Sequence, residues 1–398
     1  MRVETGLDRF LGEGPACAGL PVGSRIGLLA HAASVDRLAY HAVERLAADP
    51  RVRLTRLFAP EHGLWGHEQD MERVRDSVDP VSGLDVVSLY GSGPASLRPP
   101  ASSLEDLDAL LVDLQDVGSR YYTYVYTLSY AMEAAAERSI PVVVLDRPNP
   151  IGGDRVEGPV LDPAFSSFVG RYPLPVRHGL TIGELATLFR SEFAIGGDVR
   201  VVPLAGWDRA AGIEAAGLPW VPPSPNMPTP ATARVYPGGC LLEGTNLSEG
   251  RGTTLPFELA GAPWLAAVAL AERMRAAALP GVTFRAASFR PMFQKHDGRA
   301  CGGVQVIVTD TVAFRPFATY LALITEARRL APDRFDWRRE VYEFETRRLA
   351  IDLLLGCDNL RPMIEEGTRW EEMEQEWQAG LRDFLAIRAA YLLYEGTT

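Results

Sequence analysis

The sequence predicts an α/β protein, with a doubly wound parallel sheet in its first half and a smaller α/β unit after it. Near-continuous Val/Leu runs alternate with helical patterns through the first half, the composition of strands buried on both faces. A proline-rich stretch, Pro222-Pro-Ser-Pro-Asn-Met-Pro-Thr-Pro230, then excludes regular structure, because each proline removes a backbone donor and restrains the residue before it. Strand and helix patterns resume beyond it. The domains expected are therefore 1–222 and 231–398, joined by a connector at 223–230.

Apolar runs predict strands at 25–30, 53–58, 85–89, 109–113, 141–146 and 199–202. Helical spacing predicts helices at 36–47, 124–138 and 182–193 between them. After the connector, helices are expected at 264–277 and 316–329, with strands at 282–284 and 303–308. Trp377, Leu381, Phe384 and Leu385 mark a long amphipathic helix over 370–394 that closes a core.

Composition excludes several functions. With 398 residues, 47% of them hydrophobic, the chain can bury a full-sized core. A formal net charge of −11 argues against a nucleic-acid partner, which would need a basic surface to displace counterions. The opening Met1-Arg-Val-Glu-Thr-Gly-Leu-Asp8 lacks a signal-peptide pattern, and no apolar run is long enough to span a membrane, so the expected location is cytoplasmic with no membrane partner. Cys17, Cys240, Cys301 and Cys357 are too scattered for a zinc site or disulfide framework and read as reduced packing residues. His62 and His67 lie at the wrong interval for one helical face, and His31-Ala-Ala-Ser34 stands where a dinucleotide fingerprint would follow the first strand. Neither metal nor cofactor is expected.

Ligands of doubly wound sheets sit beyond the carboxyl ends of the strands. Three polar segments emerge there: Pro60-Glu61-His62-Gly63, Gln115-Asp116-Val-Gly-Ser-Arg120 and Asp146-Arg-Pro-Asn149. Glu61, beside Phe58 and Trp65, suits a proton donor, although a surface ion pair would use the same residue type. Asp116, Arg120, Tyr121, Tyr122 and Tyr124 combine an acid, a guanidinium and phenols that can stack on a sugar, or else Asp116 and Arg120 form an ion pair at a helix start with the tyrosines packed in the interface. After the connector, Glu243-Gly-Thr-Asn-Leu-Ser-Glu-Gly-Arg-Gly-Thr-Thr254 reads as a loop built to grip something polar. Glu243, Asn246, Glu249 and Arg251 are its candidates, and glycines 244, 250 and 252 are expected to let backbone approach a ligand.

These motifs, together with Val156-Glu-Gly-Pro-Val160, Arg177-His-Gly-Leu-Thr-Ile-Gly-Glu184 and Pro223-Ser-Pro-Asn-Met-Pro228, resemble the NamZ-like exo-β-N-acetylmuramidases, a glycoside hydrolase family formerly called a domain of unknown function. The resemblance covers nearly the whole chain. It implies a Rossmann-like half followed by a smaller α/β half, and release of N-acetylmuramic acid from the non-reducing end of peptidoglycan fragments in cell-wall turnover. Glu61 matches the family glutamate, and Glu72 matches a second family acid. The sequence departs from the family pattern at His31-Ala-Ala-Ser34 and at Met71.

Glycoside hydrolysis needs an acid on the leaving oxygen and commonly a second carboxylate. Glu61 is the expected general acid; Glu72, Glu249 and Asp116 compete for the second role, with Tyr122 or Tyr124 as a nucleophile the lesser alternative. Expected substrate-binding residues are His62, Asp116, Arg120, Tyr122, Tyr124, Asn226, Glu243, Asn246 and Arg251, with Arg120 or Arg251 reading the lactyl carboxylate. The expected partner is a peptidoglycan-derived saccharide. The alternative is a non-catalytic protein that binds amino-sugar or muropeptide ligands.

Overall fold

Alternating apolar side chains build the central sheet of the computed structural model, which describes residues 3–396. Its first strands are β1 (Ser24–Ala30), β2 (Val52–Ala59), β3 (Ser77–Val78), β4 (Asp85–Ser88), β5 (Ala109–Asp113) and β6 (Val142–Leu145). β7 (Glu157–Val160) and β8 (Pro175–Arg177) form a separate antiparallel pair, and β9 (Val199–Val202) completes the seven-stranded sheet. The order is β3-β4-β2-β1-β5-β6-β9, parallel throughout except between β3 and β4. The chain reverses direction across the sheet between β1 and β5, the switch point where such folds open a crevice. The predicted α/β class is correct.

Ile26, Leu28, Leu57, Leu111 and Val143 point to one face, where they pack on α1 (Gly6–Glu13) and α2 (Ala42–Ala47). Leu29, Phe58, Leu110, Val112 and Val144 point to the other, against α3 (Tyr124–Glu137) and α4 (Ile182–Glu192). That second layer continues without a break into the C-terminal half.

A short helix, α5 (Ile213–Ala216), precedes the connector, and α6 (Pro230–Gly239) begins on its last proline, with Thr229 accepting the Thr232 N–H as the N-cap. Beyond lie β10 (Leu259–Ala262), α7 (Ala267–Ala276), β11 (Val282–Phe289), β12 (Cys301–Val308) and α8 (Pro316–Leu330). The three strands form an antiparallel sheet in the order β10-β12-β11. Then follow α9 (Ala350–Leu355), α10 (Leu360–Glu366) and α11 (Trp370–Arg388). Among the described residues no helix is long and apolar enough to cross a membrane.

Three helix predictions overran by more than one residue, that at 264–277 because the helix begins only at Ala267. The one expected at 36–47 begins only at Ala42, because the Asp36 side chain accepts the N–H groups of Leu38 and Tyr40 and holds a turn there. The one expected at 370–394 ends at Arg388, where the chain turns back and the Leu393 N–H reaches Glu184. Several short elements, β3, β7, β8 and β10 among them, carry too few residues for a periodic signal.

Candidate active site

Parallel strands deliver their polar loops to one edge of the sheet, and the connector is fastened across it. His31, following β1, places its Nδ1 3.1 Å from the Pro223 carbonyl, while its Nε2 accepts the Gln115 N–H at 2.9 Å. The Tyr124 hydroxyl donates to the same Pro223 carbonyl at 2.8 Å. Burial pushes His31 down to about 3, so the ring is neutral and free to make both contacts. The motif His31-Ala-Ala-Ser34, set aside above for lacking a nucleotide fingerprint, is thus an anchor for the cleft wall.

Beneath this strap lies a narrow cleft with a cavity volume of about 40 Å³. The chain leaving β2 turns through His62 (φ 69) and Gly63 (φ 81), which aims Glu61 inward, 5% exposed. Thr123 Oγ1 donates to Glu61 Oε2 at 2.8 Å and the Met71 N–H to Oε1 at 3.3 Å. His62, Tyr122, Tyr124 and Asp70 line the same side. Ser224, Asn226 and Met227 of the connector form a second wall, with the Asn226 amide donating to Gln69 Oε1 at 3.0 Å.

The opposite side comes from the C-terminal half. Glu243 lies in a 3₁₀ turn, Cys240–Gly244, that directly follows α6. Arg251 sits among three carboxylates: Glu243 at 2.9 Å, Glu249 at 3.2 Å and Asp70 at 3.7 Å. The Tyr342 hydroxyl donates to Glu243 Oε2 at 2.7 Å. Burial raises the Glu243 carboxyl. Burial acts in the same sense on Glu249, but Lys295 and Arg251 outweigh it and bring that carboxyl down to about 2.

Seven expected residues meet here: Glu61, His62, Tyr122, Tyr124, Asn226, Glu243 and Arg251. The others do not line this cleft. Glu72 is exposed and outside the cleft lining. Glu249 is buried behind Arg251, ion-paired with Lys295 at 3.0 Å. Asp116 accepts the Gly118 N–H at 2.7 Å and lies 3.2 Å from His178 Nε2, holding its own loop. Arg120 is fully buried, its guanidinium donating to the carbonyls of Pro159, Leu174, Leu354 and Leu355. Asn246 lies outside, its amide donating to the Arg334 carbonyl at 2.8 Å. The glycines approach protein rather than ligand: a Cβ at Gly252 would stand 2.6 Å from the Met292 nitrogen, and one at Gly244 2.7 Å from the Ile351 Cα.

Sequence reasoning missed Glu343. It lies between α8 and α9 in Glu340-Val-Tyr-Glu-Phe-Glu345, with nothing in its spacing to separate it from the solvated charges around it. In the structure it is 7% exposed and lines the cleft with Glu61. Tyr90, which follows β4, donates to Glu343 Oε2 at 2.9 Å. The signal was local only, an acid between two aromatics.

Models of the family described as exo-β-N-acetylmuramidase NamZ match residues 26–231 with their N-terminal part and 234–394 with their C-terminal part. The chain is 45% identical over 393 residues to the peptidoglycan β-N-acetylmuramidase NamZ of Bacillus subtilis (strain 168), covering 99% of this chain and 92% of that protein. Two solved structures of DUF1343 family proteins from Bacteroides fragilis share the architecture. One is 32% identical with a TM-score of 0.88 over 99% of each chain, the other 28% identical with a TM-score of 0.76 over the full length of both. On sequence and fold together, the chain belongs to the exo-β-N-acetylmuramidase NamZ family.

Proposed function

We propose that the protein is an exo-acting glycosidase that releases N-acetylmuramic acid from the non-reducing end of peptidoglycan fragments, with Glu61 as an essential carboxylate. The observation that carries this is Glu61 itself, a buried strand-end carboxylate positioned by Thr123 and Met71 in a cleft that a second carboxyl, Glu343, also lines. Paired carboxyls in a polar, aromatic-lined cleft supply what glycoside cleavage requires. Family membership supports the same reaction. A protein that only bound the sugar would gain nothing from burying two acids in one cleft, because the desolvation would weaken it.

Arg251 is the residue proposed to read the lactyl carboxylate that distinguishes N-acetylmuramic acid from N-acetylglucosamine. It lines the cleft, and Asp70, at 3.7 Å, is the most loosely held of its three partners. Arg120 leaves the proposal, since the hydrogen bonds of its guanidinium go to backbone carbonyls inside the protein.

The test is to incubate the protein with a muramic-acid-terminated disaccharide and follow free N-acetylmuramic acid. Glu61→Gln is expected to stay folded and to lose at least about 100-fold in turnover. Saturable binding of the disaccharide without any cleavage by the wild type would support the binding-protein alternative instead.

A further inference from the structure

Resting on the glycosidase reading above, we infer that Glu343 is the proton donor of the reaction, that Tyr90 positions it, and that Glu61 is its carboxylate partner. This reverses the role that sequence alone gives Glu61.

The two carboxyls are held differently. Glu61 accepts a hydrogen bond on each oxygen, from Thr123 and from the Met71 amide, the arrangement that suits the ionised form. Glu343 receives the Tyr90 hydroxyl on Oε2. Burial, then the charge of Glu61, pushes the Glu343 carboxyl well above its ordinary range. Glu243 and Asp70 add to that push, and the Tyr90 hydrogen bond opposes it. The Tyr342 phenol donates to Glu243 and Arg251 pairs with it, so no cation among these groups contacts Glu343 directly. Of the two carboxyls, Glu343 is the one whose surroundings favour the protonated form.

The backbone carries the same message. Glu343 (φ 45) and Phe344 (φ 66) both occupy the left-handed region, which L side chains enter only at a cost in strain. Such conformations persist where packing enforces them, and functional sites are where they gather. Here the Phe344 ring packs 5.7 Å from Tyr90 and 6.4 Å from Phe168, and Tyr90 lies 5.9 Å from Phe168. One aromatic trio therefore seats both the strained segment and the phenol that grips its carboxyl.

In the reaction, the Glu343 proton passes to the glycosidic oxygen as its bond to C1 breaks, and the bonding pair stays with the departing sugar. Water supplies the oxygen that joins C1 and gives one proton to the Glu61 carboxylate. One proton has then left Glu343 and one has reached Glu61.

The experiment compares kcat/KM on a muramic-acid-terminated disaccharide and on a nitrophenyl β-muramide, whose leaving group departs without protonation. Glu343→Gln should lose at least about 100-fold on the disaccharide but less than about 10-fold on the nitrophenyl substrate, and its alkaline pH limb should flatten. Glu61→Gln should lose on both. Tyr90→Phe removes the hydrogen bond that lowers Glu343, so its alkaline limb should move to higher pH with KM little changed, a response that a packing role would not give. An active wild type with equal losses on both substrates for Glu343→Gln, or with no loss on the disaccharide, overturns the assignment and leaves the glycosidase reading standing. A wild type inactive on both substrates overturns that reading first. Should Glu343→Gln fail to fold, the direction of the Tyr90→Phe shift decides.

Discussion

Four carbonyls occupy the guanidinium of Arg120, two from the N-terminal half (Pro159, Leu174) and two from the C-terminal half (Leu354, Leu355). Each would be left without that donor if the side chain were replaced, at about 1–3 kcal/mol for a buried group. Arg120→Met is therefore expected to lower stability by more than about 3 kcal/mol in chemical denaturation, whatever its effect on catalysis. Arg251 contrasts with it, because its partners are carboxylates around a cleft. Arg251→Lys keeps the charge but loses the planar fork, so kcat/KM on muramides should fall about 10-fold or more while any rate on glucosaminides changes less. Equal losses on both sugars would remove Arg251 from selectivity. Both arginines stand in polar motifs, and sequence offered them as equals. Their partners separate them, and partners depend on what the fold brings near.

Elements show the same division. Strand ends were legible because β-runs of Val and Leu have sharp limits, and that placed Glu61 and Tyr124 at the correct edge of the sheet. The connector was legible as irregular chain, but not its destination. Its Pro223 carbonyl takes up both His31 and Tyr124 across about 190 and 100 residues of sequence, contacts that no local pattern encodes. The His31 contact carries a pH signature. Its folded value is depressed to about 3 while the unfolded value is near 6.5, so below pH 6.5 the unfolded chain takes up a proton that the folded chain refuses. The stability it contributes is whole above pH 6.5 and drains away as the pH falls toward 3. Melting temperatures at pH 7.5 and 5 should therefore drop further for the wild type than for His31→Gln. A larger drop in the variant would show that His31 does not stay neutral in the fold.

At the scale of the whole molecule, the chain returns to where it began. After α11, Tyr394 donates to Asp146 at 2.5 Å and receives the Leu204 N–H at 2.9 Å, while its carbonyl accepts from Arg209 at 3.1 Å. Arg388 donates to the carbonyls of Gly153 and Gly179, and Tyr391 to Glu192. Asp146, raised to about 6 by burial, is held by Tyr394, the Gly183 N–H and Thr181. A chain ending at Arg388 should melt roughly 5 °C lower, the scale expected when a few hydrogen bonds to charged groups are lost. Hydrogen exchange should quicken at β6 and the start of α4, far away in sequence. Unchanged exchange there would mean that the tail only rests on the surface.

This return path bears on how the protein is made. Asp146 waits 248 residues for Tyr394 to emerge from the ribosome. Arg120 waits 234 and 235 for the carbonyls of Leu354 and Leu355. Domains usually mature in the order of synthesis. Here the first-made sheet stays open at several buried polar positions until nearly all of the chain has been translated. An arrested nascent chain carrying only the first half would present those groups, and the apolar sheet face that continues into the second core, to chaperones and proteases.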